Sequence, residues 1–407
     1  MKETVSTVEV NGRRYALPAQ PTVVACVDGL DRRYLDAAFA AGCAPFLQSL
    51  RARGWLYAAR SAMPSYTNPN NVSIITGVAP AVHGIGGNYF YDEAAGAEVM
   101  MNDPSFLRVP TVLAALAQAG VRVAAVTAKD KLRRMLGHGM PEGESVLCFA
   151  VETAGAAVKD FMPAEAPSIY SAAASEAVFF AGQRIVERWQ PGFVYLSTTD
   201  YVQHKYGPGE ADADAFVAML DRYLADMDAL GARIVLTADH GMGAKADTLG
   251  RPNVVYLADL LDDAMAAAHA RVVLPITDPY VRHHGALGGF AMVYLPEAAL
   301  EAARRFIAAL PGVDAVLDRR QAAARLELPV DRIGDLVVLA GEHHVLGTRV
   351  AEHDLSGLDR PLRSHGSLHE QPVPLIANFA LDDTFAGREL RNFDAFEIAL
   401  SAERSGR

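Results

Sequence analysis

Three carboxylates in this chain share one local setting, because each follows directly on an apolar run. TVVACV (22–27) gives way to Asp28-Gly29, GFVYLS (192–197) to Thr198-Thr199-Asp200, and ARIVLTA (232–238) to Asp239-His240-Gly241. His204 stands four residues after Asp200, a spacing that on a short helix puts both side chains on one face about one turn apart, as paired metal ligands require. Carboxylates gathered in one place need cations to offset their charge. No cysteine belongs to the set, so the donors are oxygen and imidazole nitrogen. Zinc is then the first choice, with manganese or iron as alternatives.

For these groups to meet, the apolar runs must be neighbouring strands of one parallel sheet. Such runs, rich in Val, Ile and Leu, alternate here with alanine-rich amphipathic stretches. TVLAALAQAG and ADAFVAMLDRYLADMDALG are examples, the second closing at Gly231. That alternation marks a parallel sheet covered by helices on both faces, an α/β fold. In such a sheet the carboxyl ends of the strands share one edge, where ligands collect. VRVAAV (121–126) is a fourth run, and it is followed by two lysines, Lys129 and Lys131, in VTAKDKLRRML. Beyond Gly250 the text changes to FAMVYL, EAALEAARRFIAAL, VDAVLD and GDLVVLA, the strand and helix pattern of a small α+β unit, before PVPLIANFAL (372–381) returns to core-like sequence. The expected division is a catalytic core of residues 1–249 and 355–407 with a cap domain of residues 250–354.

Each residue also has a plainer use. An Asp after a strand commonly caps the next helix, Asp200 with His204 suits a solvated helix face, and Asp239-His240-Gly241 suits a turn. Metal binding explains all three at once, whereas the plain uses require three separate coincidences at one sheet edge. In AMPSYTNPNNVSIITG, Pro69 suits the first turn of a helix, which puts Thr67 just before a helix N-terminus, where free amides and the dipole favour an anion. Thr67 or Asn68 there would ordinarily cap. Beside a dication, the Thr67 hydroxyl ionises and becomes a nucleophile. Asn88, in the glycine-rich loop after His83, is either a turn residue or a donor to a phosphoryl oxygen, and His83 is read as structural. For Lys129 and Lys131, with Asp130 between them and Arg133 and Arg134 following, the plain reading is a solvated helix start. Cations are unfavourable at that end of a helix, which hints at a compensating ligand.

The chain has 407 residues, of which 51% are hydrophobic, enough for a large core divided between two domains. Its formal charge of −11 leaves no broad basic face for nucleic acid. Cys26, Cys43 and Cys148 form no disulfide framework. The first residues lack an apolar signal region, and no run approaches a membrane span, so a soluble cytoplasmic protein is expected. The expected partner is a small molecule, with no nucleic acid and no membrane; any self-association is expected to be a homodimer.

Asp28, Thr67 in MPSYTNPNNVSIITG, the PAVHGIGGN loop, Asp200-x-x-x-His204, Asp239-His240-Gly241 and a late His365-Gly366 together resemble the alkaline phosphatase superfamily, in its nucleotide pyrophosphatase/phosphodiesterase branch. Within that branch, AKDKL resembles the phosphonoacetate hydrolases. These motifs span residues 22 to 376. The resemblance implies an alkaline phosphatase-like core and two zinc ions, one held by Asp28, Thr67, Asp239 and His240, the other by Asp200, His204 and His365. RSHGSLHE also offers His369, but His-Gly matches the family frame. The resemblance further implies Thr67 as nucleophile, a phosphothreonine intermediate, and Asn88, Lys129 and Lys131 as substrate contacts. The expected reaction is hydrolysis of the carbon–phosphorus bond of phosphonoacetate to acetate and phosphate, a step of phosphonate degradation. A phosphodiesterase or nucleotide pyrophosphatase on the same two metals is the enzyme alternative, and a catalytically dead metal-binding protein is the alternative of another class. His283 and His284 receive no metal role.

Overall fold

The structure, a computed structural model, describes residues 6–164, 167, 168, 170–276 and 286–401. Its centre is an eight-stranded sheet. From one edge to the other the strands are Leu390–Arg391, Leu56–Arg60, Pro372–Ala377, Arg233–Thr237, Thr22–Cys26, Phe193–Ser197, Val123–Thr127 and Val146–Ala150. Pro372–Ala377 runs antiparallel to both of its neighbours, and all the other pairings are parallel. Every residue of Thr22–Cys26, Phe193–Ser197 and Val123–Thr127 is buried, as expected of central strands covered by helices on both faces. The helices Ala172–Trp189 and Ala211–Ala229 pack against each other and against this sheet.

Register decides what the sheet delivers. Cys26 pairs with Ser197 and with Thr237, and Ser197 pairs with Thr127, so four strands end level with one another. The residues that follow, Asp28, Asp200, Asp239 with His240, and Lys129, therefore leave the sheet along one edge. Three strands of this sheet escape the sequence reading: LYAAR at 56–60 is only partly buried and ends in an arginine, VLCFA at 146–150 is apolar but lies at the sheet edge, and Leu390–Arg391 is two residues long.

A second sheet has the strands Arg271–Val273, Phe290–Tyr294, Leu336–Ala340 and Val313–Asp318, antiparallel throughout, with the helices Glu297–Ala308 and Arg319–Leu326 packed on it. Asp318 and Gln321 close the second helix with a reciprocal capping box. The segment Val254–Tyr256 pairs instead with Val345–Gly347 in a two-stranded ladder beside this sheet. The apolar cluster under the second sheet also takes in Met63, Tyr66 and Val72, whereas Ile74 and Ile75 belong to the cluster of the main sheet. The helix Thr67–Thr76 is thus wedged between both cores. Among the described residues, no helix is long and apolar enough to cross a membrane.

Candidate active site

Thr67 is the first residue of its helix, not the residue preceding it: Tyr66 holds the cap position without a side-chain bond, and Pro69 lies in the first turn. A proline is tolerated there because the first amides of a helix have no intrahelical partner to lose. Neither Thr67 nor Asn68 acts as a cap. The Asn68 amide donates instead to the carbonyls of Gly87 and Met101, tying the helix to the glycine-rich loop. The Thr67 hydroxyl faces the carboxyl edge of the sheet, 3.3 Å from His240 Nε2 and 3.5 Å from Asp28 Oδ1.

Around that hydroxyl the sheet brings together side chains far apart in sequence. Asp200, His204 and His365 offer ligand atoms that all lie within 4.8 Å of one another, and Asp28, Asp200 and His240 form a second such group. Asp200 belongs to both, its Oδ2 being 2.9 Å from His204 Nε2 and 3.6 Å from His365 Nε2. Asp239 stands further back. Its Oδ2 is 3.9 Å from His240 Nε2, while its Oδ1 accepts from the backbone amides of Gly29 and His240. The short helix Tyr201–Lys205 sets His204 one turn from Asp200, as the spacing predicts. His365 follows the strand Arg363–Ser364, whereas His369 turns away to pair with Asp314 at 2.6 Å. Gly366, at φ 118, lets the chain pass where a Cβ would lie 2.3 Å from the Tyr66 ring.

The imidazoles are oriented for ligation. Each Nδ1 is spent on a backbone carbonyl: His204 on Arg363, His365 on Ser65, and His240 on Gly241. That bond fixes the proton on Nδ1 in the neutral ring and turns the Nε2 lone pair into the cluster, as metal-bound histidines require. The electrostatics agree. Burial, then Asp200 and Asp239, pushes Asp28 well above the usual carboxylate range. Burial alone would lower His240, but Asp239 and Asp28 outweigh it and hold it up at about 10. His365 is driven well below its ordinary value by burial and then by His240, on which it stacks at 3.6 Å between ring centroids. Asp28 held up by the neighbouring carboxylates and His365 held down beside His240 are what a site that concentrates donors for a positive ion produces. The donor set of carboxylate oxygen and imidazole nitrogen fits divalent ions.

A cavity of about 80 Å³ opens over this cluster. Thr67, Asp200 and His365 line it, and Asn88, Lys129 and Lys131 add to its polar lining. Lys129 caps the helix Asp130–Leu136 and Lys131 lies in its first turn. Asp130, between them, is engaged by Arg133 and by the Thr153 hydroxyl, and the Arg133 bond holds its carboxyl below the usual range. The Asn88 side chain donates to the Ile276 carbonyl at 3.3 Å, which leaves its second N–H for another acceptor. His83 is fully buried between the Ser73 hydroxyl and the Ile85 amide, and burial lowers it to about 3, which makes it a neutral structural residue. His283 and His284 lie outside the described residues.

Several supporting residues give no sequence signal of their own. Asn70 accepts from the Ala62 amide and donates to the carbonyls of Ala62, Pro64 and Tyr66, bracing the approach to Thr67. The fully buried Lys245 pairs with Glu370 at 2.7 Å, and Glu370 in turn accepts from the amide and hydroxyl of Ser367. The repeated asparagines of TNPNN are the one hint that could have been read, because adjacent short amides at a helix start suit bonding to the backbone.

The model of the type I phosphodiesterase / nucleotide pyrophosphatase family matches residues 22–368. Among solved structures, phosphonoacetate hydrolase from Sinorhizobium meliloti 1021, in complex with phosphonoformate, is 51% identical with a TM-score of 0.93, and the match covers 98% of this chain and 99% of that one. The same enzyme in complex with phosphonoacetate matches at 50% identity with the same coverage and TM-score. Murine ectonucleotide pyrophosphatase / phosphodiesterase 5 in complex with AMP is 16% identical, with a TM-score of 0.64 over 94% of this chain and 96% of that one, a likeness of fold.

Proposed function

The chain belongs to the type I phosphodiesterase / nucleotide pyrophosphatase family, within the alkaline phosphatase superfamily, and on that basis we propose that it hydrolyses the carbon–phosphorus bond of phosphonoacetate to acetate and phosphate. The observation that carries this reading is that one cavity is lined by Thr67, by Asp200 and His365 of the acid–histidine cluster, and by Lys129 and Lys131. A phosphonate and a carboxylate joined by one carbon match that distribution of charge. The relative from S. meliloti was crystallised with phosphonoacetate, which has that form, and with phosphonoformate, in which the carboxylate is bonded directly to phosphorus.

Asp28, Asp239, His240 and Thr67 would hold one divalent ion and Asp200, His204 and His365 the other, with zinc the natural choice for these donors. When bound, the ions act as Lewis acids toward the phosphonate oxygens and lower the pKa of the threonine hydroxyl and of water. The protein's own groups do the rest. Asn88 and the Thr67 amide donate to phosphonate oxygens, aided by the positive end of the helix Thr67–Thr76. The Thr67 alkoxide attacks phosphorus, a phosphorus–oxygen bond forms, and the phosphorus–carbon bond breaks. Its electron pair spreads from carbon into the carboxylate as an enediolate, whose charge Lys129 and Lys131 offset. Protonation at carbon gives acetate, and water then hydrolyses the phosphothreonine to release phosphate and restore Thr67.

The same reading assigns residues 250–354 as a cap over a core of residues 1–249 and 355–407. The unpaired Cys26, Cys43 and Cys148 support a reducing, cytoplasmic setting. A nucleotide substrate would call for an aromatic slot for its base. Among the described lining residues the one aromatic is Tyr66, 1% exposed, with its ring edge-on to His365 and its hydroxyl donating to the Phe290 carbonyl.

The test compares phosphate release from phosphonoacetate with nitrophenol release from p-nitrophenyl esters. Phosphonoacetate should be the better substrate, and rapid ester cleavage with no phosphate from phosphonoacetate would overturn the assignment. Thr67→Ala should abolish turnover while zinc stays bound.

A further inference from the structure

One amide touches three of the elements that build the site. Asn71, fully buried, lies one helical turn after Thr67. Its Nδ2 donates to the Thr67 carbonyl at 3.0 Å and to Asp239 Oδ2 at 3.3 Å. Its Oδ1 accepts from the Tyr195 hydroxyl at 2.7 Å and from the Ser197 hydroxyl at 2.9 Å. Tyr195 and Ser197 belong to the strand that leads to Asp200, and Asp239 follows the neighbouring strand but one.

The chemistry of these partners allows one orientation. A carbonyl and a carboxylate can only accept, so the NH2 end must face Thr67 and Asp239. The two hydroxyls can donate, and so meet the oxygen. All four bonds are made inside the protein, where water is unavailable to replace any of them. Asp239 Oδ1 is already taken by two backbone amides. The Asn71 amide is thus the side-chain donor that sets the remaining oxygen of Asp239 while holding the first turn that carries the nucleophile.

We propose that Asn71 is a positioning residue for the reaction, coupling the orientation of the Asp239 carboxylate to the placement of Thr67, with Tyr195 and Ser197 fixing which end of the amide faces the site. This rests on the two-metal hydrolase reading given above. It predicts that loss of the amide weakens metal binding and turnover together while leaving the substrate contacts at Lys129 and Lys131 intact.

The experiment uses the full chain with Asn71→Leu, close in volume but without the amide, and the double variant Tyr195→Phe/Ser197→Ala, which keeps the amide and removes its two orienting donors. Zinc affinity is read by competition with a chromophoric chelator, and kcat and KM for phosphonoacetate are read at saturating zinc. Asn71→Leu should lower zinc affinity and kcat by about 10- to 100-fold, the usual effect of removing a group that orients a metal ligand. KM should change little. The double variant should shift both in the same direction, more weakly. Wild-type zinc affinity and kcat in folded Asn71→Leu would overturn the proposal. If Asn71→Leu does not fold, unchanged zinc affinity and kcat in the double variant overturn it instead. A wild-type protein that binds no zinc, or releases no phosphate from phosphonoacetate, would refute the hydrolase reading itself, a result separate from either.

Discussion

Replacing Lys245 by Met should destabilise the protein strongly, and the size of the effect can be worked from the structure. The ammonium and the Glu370 carboxylate are 2.7 Å apart with side-chain exposures of 0% and 1%, and the ammonium also donates to the Glu342 carbonyl at 2.6 Å. At that separation and an effective dielectric of about 20, the attraction is about 6 kcal/mol. The desolvation of two ions offsets much of it, so the pair itself adds little net stability. Breaking it is different, because Glu370 is left charged and buried with Ser367 as its remaining donor. Lys245→Met should therefore destabilise the protein by about 3–5 kcal/mol. The damage should reach the site. The Glu370 carbonyl accepts from the amide of Gly241, next to His240, and Glu370 closes the loop that begins at His365. Adding Glu370→Gln removes the stranded charge and keeps an acceptor for Ser367, so the double variant should recover about half of the loss. Guanidinium unfolding of the metal-free and zinc-loaded protein, followed by tryptophan fluorescence, supplies the numbers. A Lys245→Met variant within about 1 kcal/mol of wild type, or a double variant no more stable than the single one, would refute the stranded-charge argument.

Lys129→Ala should lower kcat/KM for phosphonoacetate by about 10- to 100-fold, the loss of one charge-assisted bond, while a phosphonate ester without a carboxylate changes less than about threefold; equal losses on both substrates would argue against carboxylate recognition. In the metal-free protein His240 is held at about 10 against an ordinary 6.5, so its contribution to stability is fully present below about 6.5 and is lost as pH rises through about 10. Zinc must displace that proton. Calorimetric titration of metal-free protein near pH 8, in two buffers of different ionisation enthalpy, should therefore show at least one proton released on zinc binding; none released would mean that His240 takes no metal.

Much of this was legible in the chain because the signals are local. The four apolar runs became four neighbouring strands, since a continuous apolar run followed by a helix suits a strand covered on both faces. Asp28, Asp200, Asp239 and His240 stand where such strands end, and the spacing of Asp200 and His204 survives as one turn of a five-residue helix. What the chain by itself determined was which residues arrive at the edge. How they meet was decided by register and packing: level strand ends place Asp200 in both ligand groups and leave Asp239 behind them, an arrangement that spacing alone does not encode. The choice of His365 over His369 depends on a turn that Gly366 permits against the Tyr66 ring. Asn71 and Lys245 stand in no motif that the sequence singles out. Their roles come from partners 124 to 168 residues away, which no local pattern can specify because the interaction exists only once both cores have closed around it.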